Sequence, residues 1–155
     1  MPRSLRRRPT RNHTHNNEST TQRNVQMKTQ GIHHLGLTVS DLSASTEFFV
    51  KCLGWSVAGG NREYPANFVT NGESFFTLWQ ANDVAKPFDR KNQVGLHHVA
   101  IRVPSEDDLS KCYEEVSKFD GVTVEFAPEL LLGGPARHCM IYEPSGIRIE
   151  FIWAP

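Results

Sequence analysis

The chain has 155 residues, 38% apolar and 22% charged, and its 17 basic and 17 acidic side chains cancel. That length supports one domain, or two very small ones, with an ordinary core. No apolar run approaches the about 18 residues of a membrane-spanning helix, and no signal-type apolar stretch follows the N-terminal charges. The three Cys (Cys52, Cys112, Cys139) form no CxxC, which argues against a disulfide framework and suits a reducing, cytoplasmic setting.

The charge is unevenly spread. Residues 1–30 carry seven Lys or Arg against one Glu and only four apolar side chains, Met1, Leu5, Val25 and Met27, whereas 31–155 carry ten basic and sixteen acidic residues. Residues 1–28 therefore read as a basic tail, expected to be disordered because it buries too little surface to offset its ordering entropy. It reads as an extension ahead of a body that starts near Met27. It is Arg-rich like an organelle-targeting peptide but lacks an apolar helical face. The body, 29–155, is acidic and a poor nucleic-acid binder, and no part of the chain is expected to enter a membrane.

Within the body the chain repeats itself. Gly31-Ile32-His33-His34-Leu35-Gly36-Leu37-Thr38-Val39 returns 64 residues later as Gly95-Leu96-His97-His98-Val99-Ala100-Ile101-Arg102-Val103. The second half of each copy alternates apolar with other residues, so each reads as a strand. Ser40-Asp41 then predicts a helix start, with Leu42, Thr46, Phe49 and Leu53 at helical spacing and Gly54 as the stop. Strands follow near 55–59, 65–70 and 74–80, separated by Gly59-Gly60-Asn61 and Asn71-Gly72. In the second copy Ser105 and Asp108 approximate a capping box. Leu109, Cys112, Tyr113 and Val116 share one helical face, and Gly121 ends it. Strands follow near 122–127, 137–142 and 146–153. The fold class is α+β: two tandem βαβββ modules, 29–93 and 94–155, forming a curved mixed sheet around a cleft.

Alternation selects what enters that cleft. Leu35, Leu37 and Val39, then Val99, Ile101 and Val103, then Ile147, Ile149, Phe151 and Trp153 form apolar faces suited to the helices. His34, His98 and Glu150 take the opposite faces, and His33 and His97 are expected to turn away from them. Two His and a carboxylate suit a divalent metal with open positions. An ion pair of Glu150 with Arg102 or Arg148 satisfies the same carboxylate, and both readings stand at this level.

His34-Leu35-Gly36-Leu37-Thr38-Val39 with Ser40-Asp41-Leu42, Phe48-Phe49 and Leu53-Gly54, and the closing Tyr142-Glu143-Pro144-Ser145-Gly146-Ile147-Arg148-Ile149-Glu150-Phe151, resemble the vicinal-oxygen-chelate superfamily. That superfamily includes glyoxalase I, extradiol dioxygenases, epimerases, fosfomycin-resistance transferases and metal-free bleomycin-binding proteins. The resemblance implies paired βαβββ modules around a metal cleft and a homodimer. It implies a divalent ion (Fe, Mn, Ni, Co or Zn) on His34, His98 and Glu150. The fourth carboxylate ligand of glyoxalase I has no counterpart here: Thr77 takes its place, or Gln80 if the strand shifts. The resemblance implies a metal-dependent lyase or isomerase of broadly glyoxalase-like type, whose small substrate chelates the metal through neighbouring oxygens, with Glu150 as proton acceptor. Thr77, Trp79, Arg102, Tyr142 and Arg148 are expected around the substrate, with Phe68, Phe75 and Trp153 as further apolar wall. An Fe(II) extradiol-type dioxygenase, with His138 as acid–base group, and a metal-free ligand-sequestering protein are the alternatives.

Overall fold

A computed structural model describes residues 28–155. The expectation of a disordered tail over residues 1–28 falls, apart from Lys28, outside the described residues. The first module runs β1 (Leu35–Val39), α1 (Leu42–Glu47), β2 (Ser56–Asn61), β3 (Ala66–Thr70) and β4 (Phe75–Gln80). The second runs β5 (Val99–Arg102), α2 (Glu106–Val116), β6 (Thr123–Leu130), β7 (Arg137–Tyr142) and β8 (Arg148–Trp153). The strands form two four-stranded mixed sheets, ordered β1-β4-β3-β2 and β5-β8-β7-β6. The two βαβββ modules expected from the repeat are therefore present.

Both helices start as their caps require. Asp41 Oδ1 accepts from Ala44 N at 2.9 Å, and Ser105 Oγ accepts from Asp108 N at 3.0 Å. Glu106, Asp107 and Asp108 fill the first turn of α2, where carboxylates favour the helix dipole. The first helix departs from simple periodicity: α1 passes into a π-helical turn, Phe48–Cys52. The wider turn buries two consecutive side chains, Phe48 and Phe49, both inaccessible to solvent. Phe49 packs on Trp55 and Phe76, and Phe48 reaches Phe119 of the second module at 5.7 Å between ring centroids. One core cluster thus joins β1, β4, β8 and both helices. No helix among the described residues is long and apolar enough to cross a membrane.

A second tie between modules is polar. Glu143, at the end of the β7 segment, is only 1% exposed. Its Oε2 accepts from Ser45 Oγ of α1 at 2.6 Å, and its Oε1 accepts from Ser145 N at 2.9 Å and Ile147 N at 3.1 Å. The Ser145 hydroxyl in turn accepts from Asp41 N at 3.2 Å. The Glu143-Pro144-Ser145-Gly146 turn, closed by Gly146 at φ +82°, therefore fastens the last hairpin to the start of α1.

Burial raises the Glu143 carboxyl above its ordinary value of 4.5, against the three hydrogen bonds that favour the anion. With a folded-state pKa above the unfolded one, its contribution to stability is complete below about pH 4.5 and is lost as pH rises through the raised value. Glu143→Gln is expected to flatten that part of the curve of melting temperature against pH. Glu143→Ala, which removes the acceptor of two backbone N–H groups and leaves Ser45 Oγ only the Ser145 hydroxyl as partner, is expected to cost about 3 kcal/mol in chemical denaturation at neutral pH.

Candidate functional site

Strand register sets the site. In the first sheet Gly36 stands opposite Thr77, and in the second Ala100 stands opposite Glu150. Gly36 and Ala100 are the same position of the repeat, so Thr77 is the counterpart of Glu150, as the strand alignment expects. Arg148, Glu150 and Ile152 on β8 and His138, Met140 and Tyr142 on β7 share one face of the second sheet, since Met140 is opposite Glu150 and His138 opposite Ile152. The opposite face, with Cys139, Ile141, Ile149 and Phe151, is buried in the core.

On the outer face, Glu150 lies between two imidazoles. Its Oε2 is 3.1 Å from His98 Nε2, and its Oε1 is 2.5 Å from His138 Nδ1. The Glu150 side chain is 9% exposed and that of His138 12%. The His138 ring also packs edge-on against Phe126, 5.0 Å between centroids. These side chains line a cavity of about 490 Å³ whose apolar wall includes Phe126, Leu131, Met140 and Ile152.

The tandem His residues behave differently from the alternation reading. Regular pairing begins only at Leu35 and Val99, so His33-His34 and His97-His98 precede the strands and are not bound to opposite faces. Within each pair the rings touch: Nδ1 to Nδ1 is 2.9 Å for His33–His34 and 2.8 Å for His97–His98. In the second module an outside donor gives this contact a direction. The Arg90 guanidinium, which only donates, lies 3.2 Å from His97 Nε2. The His97 proton then sits on Nδ1 and is donated to His98 Nδ1, leaving His98 Nε2 as the donor to Glu150. Desolvation first, then the neighbouring Arg90 charge, push the His97 imidazole below its ordinary value.

His34 and His98 line a common cleft of about 570 Å³, with exposed Arg102 at its side. His34 does not join His98 and Glu150. Among the described residues no group of three His, Cys, Asp or Glu side chains is arranged to hold a metal ion. The residues therefore fit a divalent cation in part: His98 and Glu150 supply two adjacent donors, and a third must come from elsewhere.

The remaining expected residues divide. Arg148 is buried and committed to Glu125, with Nε 2.6 Å from Oε2 and a second nitrogen 2.9 Å from Oε1. This pair, aided by Tyr142 and Arg90 against the opposing cost of desolvation, lowers the Glu125 carboxyl to about 2. Arg148 is thus neutralised by a residue that strand reading did not select. Tyr142 belongs to the same cluster. Thr77 Oγ1 accepts from Trp79 Nε1 at 2.9 Å, with the indole over Gly36, where a Cβ would stand 3.8 Å from that nitrogen. Gln80, the last residue of β4, ties that strand to the start of α1: its Oε1 accepts from Leu42 N and its Nε2 donates to Ser40 O. Phe75, Phe68, Trp79 and Tyr64 form a connected aromatic series on the first sheet, whereas Trp153 packs on the core. All three thiols are free, and burial raises Cys112 to about 12 and Cys52 and Cys139 to about 11, so none is an activated nucleophile.

Residues 31–151 match the family model of the Glyoxalase/Bleomycin resistance protein/Dioxygenase superfamily. The fold is similar to a domain of that description from Frankia sp. EAN1pec (22% identity, 83% of this chain and 100% of that one, TM-score 0.71). It is also similar to a genomically encoded fosfomycin resistance protein from Listeria monocytogenes (15% identity, 83% and 96%, TM-score 0.65). A lactoylglutathione lyase from Agrobacterium tumefaciens aligns at 18% identity over 81% of this chain and 95% of that one, with a TM-score of 0.61. No curated protein matches the sequence.

The Arg148–Glu125 pair carries a pH signature. The folded-state pKa of Glu125 lies below its ordinary 4.5, so its contribution is present above about pH 4.5 and lost as pH falls toward about 2. Thermal unfolding between these limits is expected to show a descending limb in the parent chain that is shallower in Glu125→Gln. Equal slopes would mean that the pair contributes nothing.

Proposed function

The chain belongs to the Glyoxalase/Bleomycin resistance protein/Dioxygenase superfamily, and from that footing we propose that it is a metal-dependent, glyoxalase-like enzyme of lyase or isomerase type. The observation that carries the reading is the His98 Nε2–Glu150 Oε2 contact of 3.1 Å at an apolar-walled cavity. A nearly buried carboxylate beside an imidazole suits a divalent cation, which would take the place of the proton the two groups share. His98 and Glu150 hold the ion in this reading, and His34 of a second copy of the chain supplies the third donor. That His34, His98 and Glu150 form no metal-holding group among the described residues supports that arrangement.

When bound, the ion supplies Lewis-acid stabilisation to an oxyanion or enolate on the substrate. The protein's own part is to orient and to move a proton. The substrate presents two neighbouring oxygens toward His98 and Glu150 and lays its carbon body on Phe126, Met140 and Ile152. Glu150 is the proton acceptor. Arg148 is no anion receptor, because Glu125 already compensates its charge. Arg102 forms none of the ion pairs found among the described residues and stands at the cleft shared by His34 and His98, where it suits an anionic substrate group. A second reading, a metal-free ligand-sequestering protein, takes support from the incomplete donor set of one chain.

Elemental analysis of the purified protein tests the proposal. Metal content is expected to fall to background in His34→Ala, His98→Ala and Glu150→Ala. Mixing His34→Ala with Glu150→Ala under exchange conditions should restore about a quarter of the sites, since half of the dimers are mixed and each carries one intact site. A metal-free parent chain that binds an apolar ligand tightly would favour the sequestering reading. Oxygen uptake with catechols would favour a dioxygenase.

A further inference from the structure

The two modules provide an internal comparison at the site. Glu150 corresponds to Thr77 through the β1–β4 and β5–β8 registers. Two residues further along the same strands, Ile152 corresponds to Trp79. The partners of these residues, His138 on β7 and Ala66 on β3, are then equivalent. So where the first module lacks the carboxylate it also lacks the imidazole, and Thr77 is served instead by the Trp79 indole. The carboxylate and the His138 ring occur together.

We propose that His138 is the positioning residue of Glu150. A carboxylate oxygen only accepts, so at 2.5 Å the proton lies on His138 Nδ1 and is donated to Oε1. That bond holds Oε1 on the β7 side and turns Oε2 toward His98 Nε2 on the β5 side. The pair of donors facing the cavity is thereby preset as one nitrogen and one oxygen, rather than left to a rotating carboxylate. His138 is itself held. The Phe126 ring packs against it in T-shaped geometry, 5.0 Å between centroids. Hydrogen-bonded support of this kind sharpens the orientation of a ligating carboxylate. The inference builds on the reading of His98 and Glu150 as the metal edge, but the hydrogen bond exists without a metal and is tested without one.

The first measurement is nitrogen-15 histidine spectroscopy of the full chain with no metal added. His138 is expected as the Nδ1–H tautomer with a strongly downfield proton that moves upfield in Glu150→Gln. A proton on Nε2, or a resonance indifferent to Glu150→Gln, overturns the proposal. The second is calorimetric titration with Zn²⁺ alone. His138→Ala is expected to weaken binding about 10- to 100-fold. His138→Asn, whose amide N–H donates from near the Nδ1 position, should recover most of the loss. Equal loss in both variants, with unchanged melting temperatures, or no loss in either, overturns it. If the parent chain takes up no Zn²⁺, the metal reading falls and the spectroscopic signature alone decides the role of His138.

Discussion

A carboxylate withdrawn from water must have a donor for each of its oxygens, and the outer face of the second sheet is organised around that need. Glu150 lies on the third strand from the free edge of β6 and is reached from both sides. His98, just ahead of β5, meets Oε2, and His138 on β7 meets Oε1. Neither contact is available from β8 itself, whose neighbouring side chains alternate into the core. The parallel β5–β8 and antiparallel β7–β8 ladders therefore converge three ionisable groups on one point.

Among the described residues two other acidic or basic side chains are buried, Glu143 and Arg148, and each is satisfied differently. Glu143 has no cation and is held by a hydroxyl and two backbone N–H groups at the junction between the modules. Such an arrangement gives strength only while every donor is in place. Arg148 is satisfied by a two-bonded carboxylate, Glu125, reinforced by Arg90. The first is a fastening of the fold. The second removes a positive charge from the cavity, so the character of that cavity is set by His98, His138 and Glu150 against an apolar wall.

Duplication has left the two sheets with the same backbone register and different surfaces. In the first module Thr77 and Ala66 occupy the positions of Glu150 and His138, and aromatic rings from Tyr64 to Phe75 cover the sheet. In the second the same positions are ionisable. The ionisable groups of that sheet face are consequently concentrated on the second module.

The 64-residue repeat, the caps at Asp41 and Ser105 and the alternation along β8 were enough to read two βαβββ modules and to place Glu150 away from the core, because these are local and periodic properties. The pairing of Thr77 with the Glu150 position was legible for the same reason. The contact between each pair of adjacent His rings was not, since alternation holds only within a paired strand and both pairs lie before theirs begin. Nor was the Arg148–Glu125 pair, because β6 carries two register shifts that break its parity and the contact spans two strands. His138 shares the parity of Met140 and Tyr142, yet only strand pairing reveals that it closes on Glu150. Periodicity along the chain determined which face each side chain takes. Which faces meet, and which charges cancel, was decided by the lateral order of strands, a property that no single stretch of sequence contains.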